Sequence, residues 1–211
     1  MSRRILVTGA TGLIGGELMP VLRSGPDEVI SSGRSAADLP GYHRCDLSDP
    51  DAARRMVETV QPDAVVHLAG GTASGRYELY RGNVLTTVHL LEAVARLTPR
   101  PYCVVFGSAA EYGDASAALL DEASPLRPVT EYGRAKVAQT TLAEEIGRAR
   151  GIPLTILRPF NIVAPRLPPA SALGNMRRQL LASGGRERSV RCGKLDIVRD
   201  FVPLADVVEA V

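Results

Sequence analysis

Apolar runs recur along the chain at Arg4–Thr8, Glu28–Ser32, Ala64–Leu68, Tyr102–Gly107 and Pro153–Leu157 and read as strands. Between most of them lie segments whose apolar residues repeat at helical spacing, at Gly12–Arg23, Asp51–Val60, Tyr77–Leu97 and Val129–Arg150. This alternation predicts an α/β chain, a parallel sheet with helices on both faces. Asp49-Pro50 has the form of an N-cap followed by a first-turn proline, a start for the second helix.

The pattern changes after Arg158. Pro159, Pro165, Pro168 and Pro169 interrupt any helix, and a new amphipathic segment begins near Ser171. Residues 1–158 therefore read as the sheet-and-helix domain. Residues 159–211 read as a partial substrate-side lobe, interleaved with the rest in a single structural unit. The last segment, Pro203–Val211, starts a helix with no glycine or basic stop, so the chain reads as cut short.

A length of 211 residues with 45% apolar content allows one substantial core. The net charge of +2 is spread along the chain, without the basic stripe that nucleic-acid binding needs. Among the 25 basic residues only Lys136 and Lys194 are lysine. A position that keeps lysine where arginine is the habit points to an amine whose pKa can shift. Cys45, Cys103 and Cys192 are far apart and lack nearby paired histidines, so no metal site and no disulfide framework is expected. That usage fits a reducing cytoplasm. No apolar stretch approaches the length of a bilayer span, and no membrane partner is expected.

The first strand runs into Gly9-Ala10-Thr11-Gly12-Leu13-Ile14-Gly15-Gly16 and then into a helix. Glycines let the backbone approach a diphosphate, and the helix N-terminus adds N–H groups and positive potential. Gly9, Thr11, Gly12, Leu13, Ile14 and Gly15 are thus candidate dinucleotide contacts; the plainer alternative is a tight strand-to-helix turn. At the end of the second strand an acid would bind the ribose 2′-OH of NAD, but Gly33-Arg34-Ser35 stands there. Arg34 and Ser35 suit a 2′-phosphate, which favours NADP(H) and leaves NAD(H) open.

Tyr132 and Lys136 lie one turn apart near the start of a helix, able to act on one substrate. A phenol needs about three units of pKa lowering to work near neutrality, and a neighbouring ammonium acts in that direction. The pair gains force from Ser108, which ends the strand Tyr102–Gly107 at the edge where α/β sheets hold ligands. Asp46 and Leu47, after a short strand, are placed to face adenine. Leu68, Ala69 and Gly70 end another strand beside the cofactor, while His67 reads as a packed strand residue. Asn83 could hold a water or a backbone carbonyl near Lys136.

Together these residues resemble the extended short-chain dehydrogenase/reductase family, also known as the NAD-dependent epimerase/dehydratase family. The segments that carry it are Thr8–Gly15, Ser108–Gly113, Tyr132–Lys136 and Arg158-Pro159-Phe160-Asn161. The resemblance implies a Rossmann-type doubly wound parallel sheet with a small, truncated C-terminal substrate lobe. It makes Tyr132 the general acid/base, Lys136 the ribose holder that lowers the tyrosine pKa, and Ser108 the group that orients the substrate oxygen. Pro159 and Phe160 are expected beside the cofactor, and a homodimer through the Tyr77–Leu97 and Val129–Arg150 helices is expected.

Within that family the chain is most similar to sugar-nucleotide ketoreductases of the GDP-4-keto-6-deoxy-mannose reductase type. The related 4,6-dehydratases carry an acid/base pair just after the serine or threonine; here Ala109 and Ala110 stand there, which disfavours dehydration. NADPH-dependent reduction of a 4-keto group on a nucleotide-linked sugar, or another small carbonyl substrate, is therefore expected. The alternatives are an epimerase that retains its cofactor and a non-catalytic dinucleotide-binding module. Ser108, Ala109, Asn161, Arg178, Gln179 and Arg199 are the candidate substrate contacts. Pro165-Arg166-Leu167-Pro168-Pro169 departs from the Gly-Pro usual in the family after this asparagine.

Overall fold

A computed structural model describes residues 2–72, 75–114, 119–169, 171–183, 189–195 and 198–211. Its elements in chain order are β1 (Arg4–Thr8), α1 (Leu13–Arg23), β2 (Glu28–Gly33), β3 (Tyr42–Arg44), α2 (Pro50–Val60), β4 (Ala64–His67), α3 (Arg76–Tyr80), α4 (Thr86–Val94), β5 (Tyr102–Phe106), α5 (Glu131–Arg150), β6 (Leu154–Leu157), β7 (Asn161–Val163), α6 (Ala172–Ala182), β8 (Phe201–Pro203) and α7 (Leu204–Glu209). Strands β3-β2-β1-β4-β5-β6 form one sheet in that spatial order, every pair parallel. The order reverses between β1 and β4, and the crevice at their carboxyl ends is where such sheets hold a ligand.

Strand alternation sorts the core into two layers. Leu6, Ile30, Val65 and Cys103 face one side, packed against Val57 of α2, Leu90, Leu91 and Val94 of α4 and Ala143 of α5. Ile5, Val7, Val66, Val104 and Phe106 face the other, against Leu18 of α1 and Leu204, Val207 and Val208 of α7. The final helix thus joins the core of the six-stranded sheet, although it follows residues 159–203 in sequence. Each of the Val, Leu, Ile and Phe side chains among these, when fully buried, stabilises by about 1.5–3 kcal/mol.

Local chemistry sets the helix ends as expected: Asp49 accepts from the N–H groups of Asp51 and Ala52 at 2.9 and 3.3 Å, with Pro50 next in line. The helix expected over Tyr77–Leu97 differs. It is α3, then a π-helical turn at Arg81–Leu85, then α4. The widened turn sits where Asn83 donates to the Leu79 carbonyl at 2.8 Å and Thr87 donates to the Asn83 carbonyl at 2.7 Å, side chains competing with the backbone ladder. Beyond β6 the chain adds a separate two-stranded parallel sheet, β7 with β8, a pairing that no alternating sequence pattern announced.

Candidate active site

The carboxyl ends of β1, β2 and β4 enclose a cleft of about 290 Å³. Gly9, Thr11, Gly12, Arg34, Ser35, Asp46, Leu47, Leu68, Ala69 and Gly70 all line it, residues drawn from four separate stretches of sequence. Gly9 has φ +71°, and a Cβ there would lie 2.6 Å from the Ala69 nitrogen, so the close approach of the two loops requires glycine. Gly15 works from below: a Cβ would meet the Ala10 oxygen at 2.5 Å, so its role is to pack α1 under the turn. Leu13 and Ile14 pack on the core side of α1. The N-cap residue Gly12 makes no side-chain cap, and the first turn of α1 has no acid. Its amide groups and positive potential therefore face the cleft without a competing side chain, as a diphosphate requires.

The end of the cleft beside Asp46 has members that sequence reasoning missed. Arg81, on the π-helical turn, donates to Asp46 at 2.9 Å, to Ser48 at 3.0 Å and to Glu78 at 3.3 Å, and both Arg81 and Glu78 line the cleft. Ser48 also donates to Asp46 through its amide at 3.0 Å and its hydroxyl at 2.7 Å. Burial alone would raise the Asp46 pKa, but the Ser48 hydrogen bonds and the charges of Arg81 and Arg34 hold it below its ordinary value. Arg81 carried no signal in sequence because it is one arginine among many. The side chain of Leu47 is part of the core, and its carbonyl accepts from His89 at 3.0 Å.

Asn83 is 1% exposed and binds protein backbone on every side: its amide donates to the Gly71 carbonyl at 2.9 Å, and its oxygen accepts from the Gly71 N–H at 3.2 Å. It shapes the Gly70–Gly71 wall from behind. His67 sits in the same polar seam, between Thr8 at 2.7 Å and Thr87 at 2.9 Å. Because the Thr87 hydroxyl donates to the Asn83 carbonyl, its lone pair accepts from His67 Nε2–H, and Thr8 donates to Nδ1. This neutral tautomer fits a pKa pushed down to about 3 by burial and, next, by the charge of Lys136. His67 is a packed, uncharged strand residue.

Ser108, Tyr132 and Lys136 meet at the end of β5. The α5 N-cap is Thr130, accepting from Gly133 N–H at 3.0 Å. A Cβ on Gly133 would lie 2.5 Å from the Ala110 oxygen, so glycine lets the first turn of α5 press onto the Ser108 turn. Lys136 is 6% exposed, and its Nζ donates to the Phe106 carbonyl and to Gln139 Oε1, both at 2.8 Å. Gln139 completes the arrangement by donating to the same carbonyl at 3.2 Å. Burial brings the Lys136 pKa down to about 8, against the opposing pull of Glu111.

The Tyr132 pKa is set here by the protein groups around it. It lies above its ordinary value: burial raises it, the Ser108 hydroxyl lowers it by less, and Glu111 raises it further. The Lys136 ammonium, bound to Phe106 and Gln139, does not bring it down.

Behind Ser108 stands a buried ion pair. Glu111 is 0% exposed; one carboxylate oxygen accepts from Ser108 N–H at 2.8 Å and the other from Arg158 Nε at 2.9 Å. The Arg158 guanidinium lies 5.7 Å from the Tyr112 ring centroid, and Tyr112 stacks on Phe160 at 6.4 Å. The Pro159 carbonyl accepts from Ala109 N–H at 3.1 Å, so Pro159 and Phe160 brace the serine turn. Both oxygens of Glu111 are thus held, and methyl groups stand at Ala109 and Ala110.

The other substrate candidates have hydrogen-bond partners of their own. Asn161 donates to the Asp200 carbonyl at 2.8 Å, Arg178 to Asn175 at 2.8 Å and Arg199 to the Val198 carbonyl at 3.0 Å. Gln179 exchanges two bonds with the Arg191 backbone, at 2.9 and 2.8 Å. Among the described residues none of the four shares a hydrogen bond with Ser108, Tyr132 or Lys136.

Comparison with known proteins agrees with this geometry. A relative from Kitasatospora kifunensis, a dTDP-6-deoxy-L-talose 4-dehydrogenase (NAD(P)(+)), is 36% identical over 220 residues, covering 99% of this chain and 68% of its own length. The GDP-6-deoxy-D-mannose reductase of Pseudomonas aeruginosa is 29% identical over 222 residues, covering 100% of this chain and 69% of that protein. The structure of the Thermus thermophilus UDP-glucose 4-epimerase in complex with NAD superposes with a TM-score of 0.85 at 25% identity, over 98% of this chain and 72% of the other. The model of the NAD dependent epimerase/dehydratase family matches residues 5–211, and the chain belongs to that family.

Proposed function

We propose that the chain carries out NADPH-dependent reduction of a 4-keto group on a nucleotide-linked sugar. The observation that carries this reading is the meeting of Ser108, Tyr132 and Lys136 at the end of β5, beside a cleft whose glycines and uncapped helix suit a diphosphate. When bound, the dinucleotide supplies the hydride. Ser108 hydrogen-bonds the carbonyl oxygen and Tyr132 delivers a proton to it as negative charge develops. Lys136 is set to hold the nicotinamide ribose, with Gln139 and the Phe106 carbonyl orienting its amine.

NADPH is favoured over NADH by two features together: no acid stands at the end of β2, and Arg34 follows directly. The dTDP-6-deoxy-L-talose and GDP-6-deoxy-D-mannose relatives support a deoxysugar nucleotide as substrate. Homodimerisation through the Tyr77–Leu97 and Val129–Arg150 segments fits the exposure of Leu85, at 40%, and Leu142, at 37%, on them; sedimentation of the protein tests it. The free thiols of Cys45, Cys103 and Cys192 fit a reducing compartment such as the cytoplasm.

A second reading, an epimerase with retained cofactor, is supported by the likeness to the Thermus epimerase. The assay that separates them follows NADPH absorbance with dTDP- and GDP-4-keto-6-deoxy sugars. Stoichiometric NADPH oxidation supports reduction. Sugar interconversion without net change in cofactor supports epimerisation and removes the reductase reading.

A further inference from the structure

The end of β2 is closed by a side chain from β3. The backbone of Gly33 does not require glycine, since its φ is not in the left-handed region, yet a Cβ there would lie 2.6 Å from the Tyr42 hydroxyl oxygen. The next contacts, Tyr42 Cζ at 3.5 Å and Thr11 Oγ1 at 3.7 Å, are ordinary. Of these neighbours only Tyr42 would have to shift to admit a side chain here. The position matters, because an acid about 20 residues beyond the glycine turn is what accepts the ribose 2′-OH of NAD and repels a 2′-phosphate.

The same strand also holds the turn that follows. The Tyr42 hydroxyl donates to the Ser35 carbonyl. Arg44, two residues along β3, donates through Nε to the Arg34 carbonyl at 3.2 Å. Gly33, Arg34 and Ser35 all line the cleft, so their backbone is fixed from β3 while the Arg34 and Ser35 side chains are left to face a ligand.

We propose that Tyr42 is a cofactor-specificity residue: its hydroxyl occupies the place an acidic side chain would take and anchors the Arg34-Ser35 turn for a 2′-phosphate. This deepens the NADPH reading above and rests on it. Specificity is then encoded on two strands at once. An acid introduced at Gly33 meets Tyr42 first, so conversion to NADH requires a change on each.

Titration of NADPH and of NADH by nicotinamide fluorescence, on the wild type and four variants, tests this, with thermal melts to show that each variant is folded. Tyr42→Phe keeps the ring packed and removes only the anchor; it should lower the NADPH-to-NADH affinity ratio by about three- to tenfold. Tyr42→Ala should lower it by about tenfold or more. Gly33→Asp should lose NADPH by about 100-fold without gaining NADH, whereas Gly33→Asp with Tyr42→Ala should gain NADH by about tenfold over the single variant. An unchanged ratio in both Tyr42 variants overturns the proposal, as does Gly33→Asp alone converting the protein as fully as the double variant. A wild type that binds NADH more tightly than NADPH overturns the cofactor reading itself, and the role of Tyr42 with it.

Discussion

Lys136 and Arg178 are both cations on helices, and their surroundings could hardly differ more. Lys136 is 6% exposed and bonded to the carbonyl of Phe106, a strand residue 30 positions earlier in the chain. Arg178 is exposed and bonded to Asn175, its neighbour 3 positions back on the same helix. The contrast extends to their regions. Around Ser108, side chains from β5, α5 and β6 hold one another across long sequence separations, through Glu111, Arg158, Gln139 and the Pro159 carbonyl. Beyond β6, Asn161, Gln179 and Arg199 bond short-range or backbone partners at the surface. A buried polar group must find its partners inside the protein, so its position is determined by the whole core, whereas an exposed one has water as an alternative.

Substitutions can break or sharpen this contrast. Tyr132→Phe removes the hydroxyl proposed to donate the proton while keeping the ring, and should reduce turnover of a 4-keto sugar nucleotide by about 10²- to 10⁴-fold with the fold intact. Equal turnover in the variant and the wild type would leave a dinucleotide-binding module with no chemistry at this site. Glu111→Gln comes next: it leaves Arg158 without its buried countercharge, and urea unfolding should show a loss of about 3 kcal/mol. Because Glu111 raises the pKa of both Tyr132 and Lys136, the pH-rate profile should also move toward lower pH in this variant. A loss below about 1 kcal/mol would place the pair with ordinary surface bridges.

His67 gives a smaller, pH-dependent effect. Its pKa is depressed in the folded protein, to about 3, so the unfolded chain takes up a proton that the folded one refuses as pH falls below the ordinary histidine value. The stability from a neutral His67 is complete above about pH 6.5 and is lost toward pH 3, with a slope near ~1.4 kcal/mol per pH unit. Urea midpoints measured from about pH 7 to pH 4 should fall more steeply in the wild type than in His67→Gln. Parallel curves would mean that His67 charges freely in the folded state. The smallest effects belong to the other region: Arg178→Ala and Arg199→Ala should each change stability by less than about 0.5 kcal/mol in the same assay.

Much of this molecule was legible in its sequence because the relevant physics is local. The first strand was placed at Arg4–Thr8, and β2, β4, β5 and β6 within a residue at each end, since short apolar runs bounded by glycine, proline or polar residues have few other solutions. The glycine turn was visible because close backbone approach has a glycine signature, and Ser108, Tyr132 and Lys136 stood out because their spacing matched a known arrangement. The two-stranded sheet of β7 and β8 was not visible: its strands are three residues each, and residues 164–200 lie between them.

The sequence by itself determined the parallel sheet, the glycine turn and which side chains were candidates for the chemistry, because periodicity, glycine placement and residue type are properties of single segments. Only tertiary structure decided how those side chains are held. That Glu111 reaches back to the Ser108 amide and across to Arg158, that Arg81 reaches Asp46 over the cleft, and that Tyr42 fills the space beside Gly33 all depend on where separate strands come to rest. The Tyr132 phenol shows the same division. Its presence on the first turn of α5 follows from local spacing, but its raised pKa follows from burial, which is set by every element packed around it.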